Sequence, residues 1–178
     1  MRILGISGSL RRDSHNTRLL AAAADALPDG VELVRWDGLA AVPPFDEDAE
    51  EGPAPAAVAD LRAAIAAADA VLFATPEYNG SVPGQLKNAL DWVSRPYATN
   101  PLRNTPAAVV GASTGGFGAV WAQADLRRIL ARIGARVLDA ELAVTHAHTG
   151  FDDDMLEGLA DVVNELVSTA HARELAAA

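Results

Sequence analysis

The sequence predicts an α/β protein, a parallel β-sheet with helices packed on both faces. Three observations carry that expectation. Short β-type runs alternate with longer helical stretches five times along the chain, the pattern that builds parallel sheets. The runs around Ile3, Val71 and Val109 are apolar throughout, as strands buried on both faces must be. Half of the residues are hydrophobic but only 5% are aromatic, which favours alanine-rich helices packed closely on a sheet.

Each element follows from its own pattern. Arg2 to Ser7 is a short apolar run ended by Gly8 and reads as a buried strand. Asn16 to Leu27 is rich in leucine and alanine and stops at Pro28-Asp29-Gly30, a helix followed by a turn. Val31 to Trp36 alternates apolar and polar residues, a strand with one face more exposed. Gly38 to Pro55 carries prolines and the acidic run Asp46 to Glu51, and reads as a solvated loop. Ala56 to Ala68 is helical, and Ala70 to Thr75 is a fully apolar strand ended by Pro76. Gly84 to Val93 has apolar residues at helical spacing after Pro83, a residue suited to a first turn. Ala107 to Ala112 is the third apolar strand, and Gly118 to Ile133 a long helix closed by Gly134. Arg136 to Thr145 is the last strand and Asp152 to Leu175 the last helix. No repeat or linker divides the chain, so residues 1–178 read as one domain. Five strands with a ligand-type loop after the first match a flavodoxin-like three-layer sandwich, a five-stranded parallel sheet of order 2-1-3-4-5. In that order ligands sit at the carboxyl ends of the strands, where the strand order reverses.

Composition narrows the function. The net charge is −10, from 24 acidic and 14 basic residues, which argues against a nucleic-acid partner. There is no cysteine, so disulfides, zinc–thiolate sites and thiol nucleophiles are excluded. The opening apolar run is too short for a signal-peptide core. No stretch approaches the ~18 apolar residues that span a bilayer. A cytoplasmic protein without a membrane partner is the expectation.

Three loops follow the three most apolar strands and are expected along one sheet edge. In the first, Gly8 allows a sharp turn, and Ser7, Ser9, Ser14, Asn16 and Thr17 offer neutral donors beside Arg11 and Arg12. The helix that follows presents free amides and the positive end of its dipole. The alternatives are a phosphate site, which the density of donors favours, and an ordinary helix cap with surface arginines. No Gly-Lys-Ser/Thr ending or G-x-G-x-x-G is present, which sets aside a nucleotide triphosphatase and a Rossmann dinucleotide site. The second loop runs from Thr75 to Gly84, with two prolines and two glycines. It either hydrogen-bonds the edge of a heteroaromatic ring with Tyr78 on its face, or is a plain strand-to-helix turn. The third, Ala112 to Gly118, carries Gly115 and Gly116, expected at a helix start and aimed at a developing negative charge.

Four pieces together carry a resemblance: Gly-Ser-Leu-Arg-x-x-Ser-x-Asn (Gly8 to Asn16), Pro-Glu-Tyr-Asn-Gly (Pro76 to Gly80), Pro-Gly-x-Leu-Lys-Asn-Ala-Leu-Asp-Trp (Pro83 to Trp92) and Ser-x-Gly-Gly (Ser113 to Gly116). In order and spacing they resemble the NADPH-dependent FMN reductase family, which includes bacterial quinone, chromate and azo-dye reductases. The resemblance covers roughly Arg2 to Val137. It implies a non-covalently held FMN, NAD(P)H as co-substrate, and a homodimer or homotetramer with the flavin near a subunit interface. It also implies that Ser9, Arg11, Ser14 and Asn16, with Thr17 beside them, hold the phosphate. Pro76, Glu77, Tyr78, Asn79 and Gly80 would then line the isoalloxazine, with Ser113, Gly115 and Gly116 at its pyrimidine edge. Phe117 and Trp121 match no fixed family position, and the segment after Leu138 allows no carry-over. The expected cycle is ping-pong: NAD(P)H reduces the flavin and leaves, then a quinone or similar small acceptor takes the electrons. Flavin N5 carries the hydride, so no catalytic side chain and no metal is required.

Two other functions fit parts of the sequence. Gly111 to Gly115 matches G-x-S-x-G between a strand and a helix, with His146 or His148 downstream and Asp139 or Glu141 between. That would make Ser113 the nucleophile of a serine hydrolase, but it leaves the first two loops unexplained. A flavodoxin-type electron carrier suits the acidity, although few aromatics stand near the loops to shield a flavin. His146 and His148, two apart, have no evident third ligand and read as surface histidines. Asp152 to Asp154 favour the start of the last helix. Trp36, Trp92 and Trp121 read as core or interface residues. His15 is either a phosphate contact or a solvent-facing loop residue.

Overall fold

The computed structural model describes residues 1–177. Strand β1 (Arg2–Ser7) lies between β2 (Glu32–Trp36) and β3 (Ala70–Thr75), and β4 (Pro106–Ala112) flanks β3. All pair in parallel, and the order is the expected 2-1-3-4-5. Helices α1 (His15–Asp25) and α5 (Asp153–Ala177) cover one face; α2 (Ala56–Ala66), α3 (Gly84–Val93) and α4 (Val120–Ile133) cover the other.

The two-residue period of the strands divides the core. Ile3, Leu72, Ala108 and Val110 point toward α1 and α5, while Leu4, Ile6, Val71, Phe73 and Val109 point toward α2, α3 and α4. Every residue of β3 and β4 is buried, which is why these runs carry no polar alternation. Each large apolar side chain so buried contributes about 1.5–3 kcal/mol of transfer free energy. The rigid centre of the sheet therefore fixes the loops at its edge. β2 is the edge strand and exposes Glu32, Val34 and Arg35.

The last strand differs from expectation. Arg136 to Thr145 is not one strand but two, β5 (Arg136–Val137) and β6 (Ala143–Val144), both paired with β4. The register gives the reason. Pro106 pairs with Arg136 and Gly111 with Ala143, so seven steps on this side face five on β4. The two surplus residues leave the ladder around Asp139 to Glu141, an edge where such a bulge is tolerated.

Two smaller differences have local causes. Gly38 to Pro55 is not plain loop: it holds 3-10 turns at Gly38–Ala41 and Asp48–Glu51 and sends Leu39 and Val42 into the core. α4 starts at Val120 rather than Gly118, because Gly118 and Ala119 both adopt left-handed φ, at 56° and 63°. A Cβ on Gly118 would stand 2.4 Å from the carbonyl carbon of Ala143, so glycine is required there. Trp36 and Trp92 are core residues, whereas Trp121 is half exposed.

Candidate functional site

Register places the three loops together. Ser7 pairs with Ala74, Thr75 with Gly111 and Ala112 with Val144, so the chain leaves β1, β3 and β4 at one edge of the sheet. The edge lies where the order reverses between β1 and β3, the position at which open α/β sheets bind ligands.

The first loop is built on serines. The Gly8 amide donates to the Ala74 carbonyl at 2.8 Å, and a Cβ there would meet Leu86 at 2.9 Å, so the loop hugs the top of β3. Ser14 caps α1: its hydroxyl oxygen accepts from the Thr17 amide at 3.2 Å. Ser9 Oγ accepts from the Arg11 amide at 3.3 Å. Each hydroxyl proton stays free to donate. The first amides of α1 have no acceptor inside the helix, and its dipole adds positive potential.

The second loop folds back on itself. Tyr78 and Ser81 exchange backbone hydrogen bonds, and Asn79 and Gly80 between them have φ of 53° and 76°. This is the tight turn that an Asn-Gly pair selects, since both central residues need positive φ. The Ser81 hydroxyl donates to Asp125 on α4 at 2.7 Å. The hydroxyl and Arg128 hold the Asp125 carboxyl below its usual pKa. Glu77 completes the junction. Its Oε2 accepts from the amides of Trp121 and Ala122 at 3.0 and 3.1 Å, capping the start of α4, where the N-cap residue Ala119 has no side-chain oxygen.

The third loop is tied to the first by Asn16. Its amide donates to the Ala112 carbonyl at 3.0 Å, and its carbonyl accepts from the Ala112 amide at 2.9 Å. Asn16 is 2% exposed. Gly115 and Gly116 stand in the loop ahead of α4 rather than at its first turn. The Gly115 amide donates to Ser113 Oγ at 3.1 Å.

Between the loops lies a pocket of about 150 Å³. Of the predicted residues it brings together Ser9, Arg11, Ser14, Asn16, Pro76, Glu77, Tyr78 and Ser113. Thr17 does not line this pocket; its hydroxyl donates to Ser7 at 3.1 Å, and it borders an adjacent hollow with Ser9, Arg11 and Arg12. Asn79, Gly80, Gly115 and Gly116 stand outside the pocket wall. The wall also includes His15 and Thr114. Thr114 carried no sequence signal beyond its place in the third loop. Nδ1 of His15 is buried without a hydrogen-bond partner. Burial, then Arg11, Arg18 and His148, lowers the pKa of its imidazole.

The donor set has a definite chemistry. Two free hydroxyl protons, one guanidinium and the amide end of α1 converge on a space suited to one tetrahedral oxyanion. Tyr78, 53% exposed, stands at its mouth. These residues fit the phosphate and ring of a flavin mononucleotide. They do not make a hydrolase: among the described residues Ser113 Oγ has no histidine or carboxylate hydrogen-bond partner.

Comparisons with known proteins point the same way. The model of the NADPH-dependent FMN reductase family matches residues 1–149. An NAD(P)H-dependent FMN reductase of Pseudomonas aeruginosa is 43% identical over 153 residues, covering 85% of this chain and 82% of the relative. A 2-hydroxy-1,4-benzoquinone reductase of a Burkholderia species is 34% identical over 166 residues, 93% of this chain and 87% of its own. Among solved structures, the flavoenzyme NAD(P)H:(acceptor) oxidoreductase FerB of Paracoccus denitrificans superposes with a TM-score of 0.85. It is 32% identical and covers 96% of this chain and 97% of its own.

Proposed function

The chain belongs to the NADPH-dependent FMN reductase family, and we propose that its β1–α1 loop grips the FMN phosphate while the loops after β3 and β4 take the ring. The protein is an FMN-dependent NAD(P)H oxidoreductase. FMN, when bound, supplies the hydride chemistry between NAD(P)H and a small acceptor. The protein's own residues bind and orient. Ser9, Ser14 and Arg11 donate to the phosphate, with the first amides of α1 behind them. Asn16 acts through Ala112, holding the first and third loops at a fixed distance. Glu77 acts through α4, whose first turn it ties to the second loop. Pro76 and Tyr78 stand against the isoalloxazine, the Asn79–Gly80 turn sets the angle of that wall, and Ser113, Gly115 and Gly116 border the pyrimidine edge. Thr17 supports the loop through Ser7 rather than touching the ligand.

The observation that carries this reading is the single pocket in which loops from three strands present Ser9, Arg11, Ser14, Tyr78 and Ser113 to one space. Quinones are the acceptor class, by likeness to the Burkholderia quinone reductase. The whole chain acts as one FMN-binding unit, since both apolar clusters share one sheet. A homodimer or homotetramer is supported by Phe117 and Trp121. They are 66% and 50% exposed, pair at 4.9 Å between centroids, and stand beside the second loop. A cytoplasmic location is part of the proposal; none of the described helices is long and apolar enough to cross a membrane.

The test is spectroscopic. Protein loaded with FMN is expected to be yellow, to bleach with anaerobic NAD(P)H and to regain its colour on adding a benzoquinone. Protein that takes up no FMN, or whose flavin no pyridine nucleotide reduces, would remove the proposal. Light scattering on the same sample gives the oligomeric state.

A further inference from the structure

The loop after β1 has a second side. Ser9 and Arg11 border the pocket between the three loops and also a hollow of about 220 Å³ toward β2. They form the ridge between the two spaces. Arg12 lines the hollow but not the pocket. Among the described residues it enters no ion pair, although the chain carries 24 acidic residues. The other wall comes from the end of β2, where the Arg35 guanidinium forks onto both carboxylate oxygens of Asp37. Beside them lies a fixed apolar surface. Trp36 is 8% exposed and its indole N–H donates to Asp60 at 2.6 Å, and Leu39 is buried next to it. FMN, with its single phosphate, reaches only the first of the two spaces.

We propose that this hollow takes the adenylate half of flavin adenine dinucleotide, so that the chain holds FAD as well as FMN. Contiguity carries the inference. A group joined to the flavin phosphate enters the hollow only by crossing the ridge at Ser9 and Arg11, and a pyrophosphate makes that crossing. Arg11 then serves the inner phosphate and Arg12 the outer one. The Arg35 fork offsets the Asp37 charge, so this carboxylate does not repel the outer phosphate. Its remaining lone pairs suit the hydroxyls of a ribose. Adenine needs a flat apolar surface, which Trp36, Leu39 and the 56% exposed Leu10 supply.

Topology points the same way. In doubly wound sheets that bind dinucleotides, the pyrophosphate lies at the first strand-to-helix turn and an acidic residue further along holds the adenosine ribose. Asp37, directly after β2, stands in that place. The pyridine nucleotide co-substrate also carries an adenosine phosphate, but one not joined to the flavin. The shared ridge favours FAD, and the experiment separates the two. The inference rests on the phosphate reading of the pocket.

The experiment is calorimetric titration of FAD and of FMN into the flavin-free chain and into Arg12→Ala at pH 7.5. FAD is expected to bind the unmodified chain at least as tightly as FMN. Arg12→Ala is expected to weaken FAD by about tenfold or more, the worth of one charge-assisted hydrogen bond, and FMN by less than about twofold. FAD binding at least about tenfold weaker than FMN in the unmodified chain would show the adenylate excluded, and would overturn the proposal. An equal loss of both flavins in Arg12→Ala would return Arg12 to the FMN phosphate and overturn it too. So would an unchanged FAD affinity in that variant; a raised KM for NADPH beside it, measured with FMN bound, would give the hollow to the pyridine nucleotide. A chain that binds neither flavin would remove the underlying site reading, and the inference with it.

Discussion

Replacing Asn16 by leucine removes a strap that crosses 96 positions of sequence. The side chain holds both polar groups of Ala112 in a buried place, at 3.0 and 2.9 Å. Leucine is close in size, so the change opens little space but leaves one N–H and one C=O unpaired. Each buried unsatisfied group costs about 1–3 kcal/mol, so the pair costs about 2–6 kcal/mol by the same measure. Against a typical domain stability of about 5–15 kcal/mol, that is a large share. In a chain of this size about 2–4 °C of melting temperature is lost per kcal/mol, which gives a fall of roughly 5–20 °C. The assay is urea unfolding followed by circular dichroism, with a thermal melt beside it. Asn16→Asp is the control for mechanism. It keeps the acceptor for the Ala112 amide but loses the donor, and an ionised carboxylate then faces a carbonyl. Protonation restores a donor, so its deficit is expected to shrink as pH falls from 8 to 5. An Asn16→Leu protein within about 0.5 kcal/mol of the original, the range of ordinary surface substitutions, would refute the strap.

Gly118→Ala puts a Cβ 2.4 Å from the Ala143 carbonyl carbon at a left-handed φ. A loss of at least about 2 kcal/mol is expected, read as a lower urea midpoint. Glu77→Gln keeps the shape of the α4 cap but removes its charge. About 0.5–1 kcal/mol should go, and the loss should shrink in high salt, as a charge–dipole effect does. Ser81 and Arg128 depress the Asp125 pKa, so the folded state gains stability that is present above the unfolded value of 3.8 and fades as pH falls through the folded value. Because Asp125 is solvent-accessible, the gain is under about 1 kcal/mol. Ser81→Ala should therefore cost stability at pH 6, and the cost should shrink as pH falls below 3.8, measured by thermal melts.

Much of this architecture was legible in the sequence because its centre is uniform. β1 and β3 have the bounds their apolar runs gave, and β4 begins one residue early, since the interiors of these buried strands are apolar and Gly8 and Pro76 follow β1 and β3 directly. Pro83 and Gly134 marked α3 and the end of α4 for equally local reasons. The grouping of the three loops followed from parallel order alone. What sequence could not reveal depends on partners far along the chain. The carboxylate of Glu77 caps α4 across 44 positions, a tie between loop and helix that its reading as a ring contact did not contain. Asn16 read as a phosphate donor, but its side chain is spent on Ala112. The split of the last strand appears once its register is counted against β4, and the late start of α4 once Ala143 is seen to crowd Gly118.

The central claim is that the β1–α1 loop recognises a terminal phosphate. Its most direct test is the ratio of FMN to riboflavin affinity, measured by flavin fluorescence quenching at pH 7.5 in the unmodified chain and in Arg11→Ala. Charge-assisted hydrogen bonds are worth about 1.5–3 kcal/mol each, so a ratio of about 100 or more is expected, falling at least about tenfold in Arg11→Ala. Equal affinity for the two flavins in the unmodified chain would contradict the account.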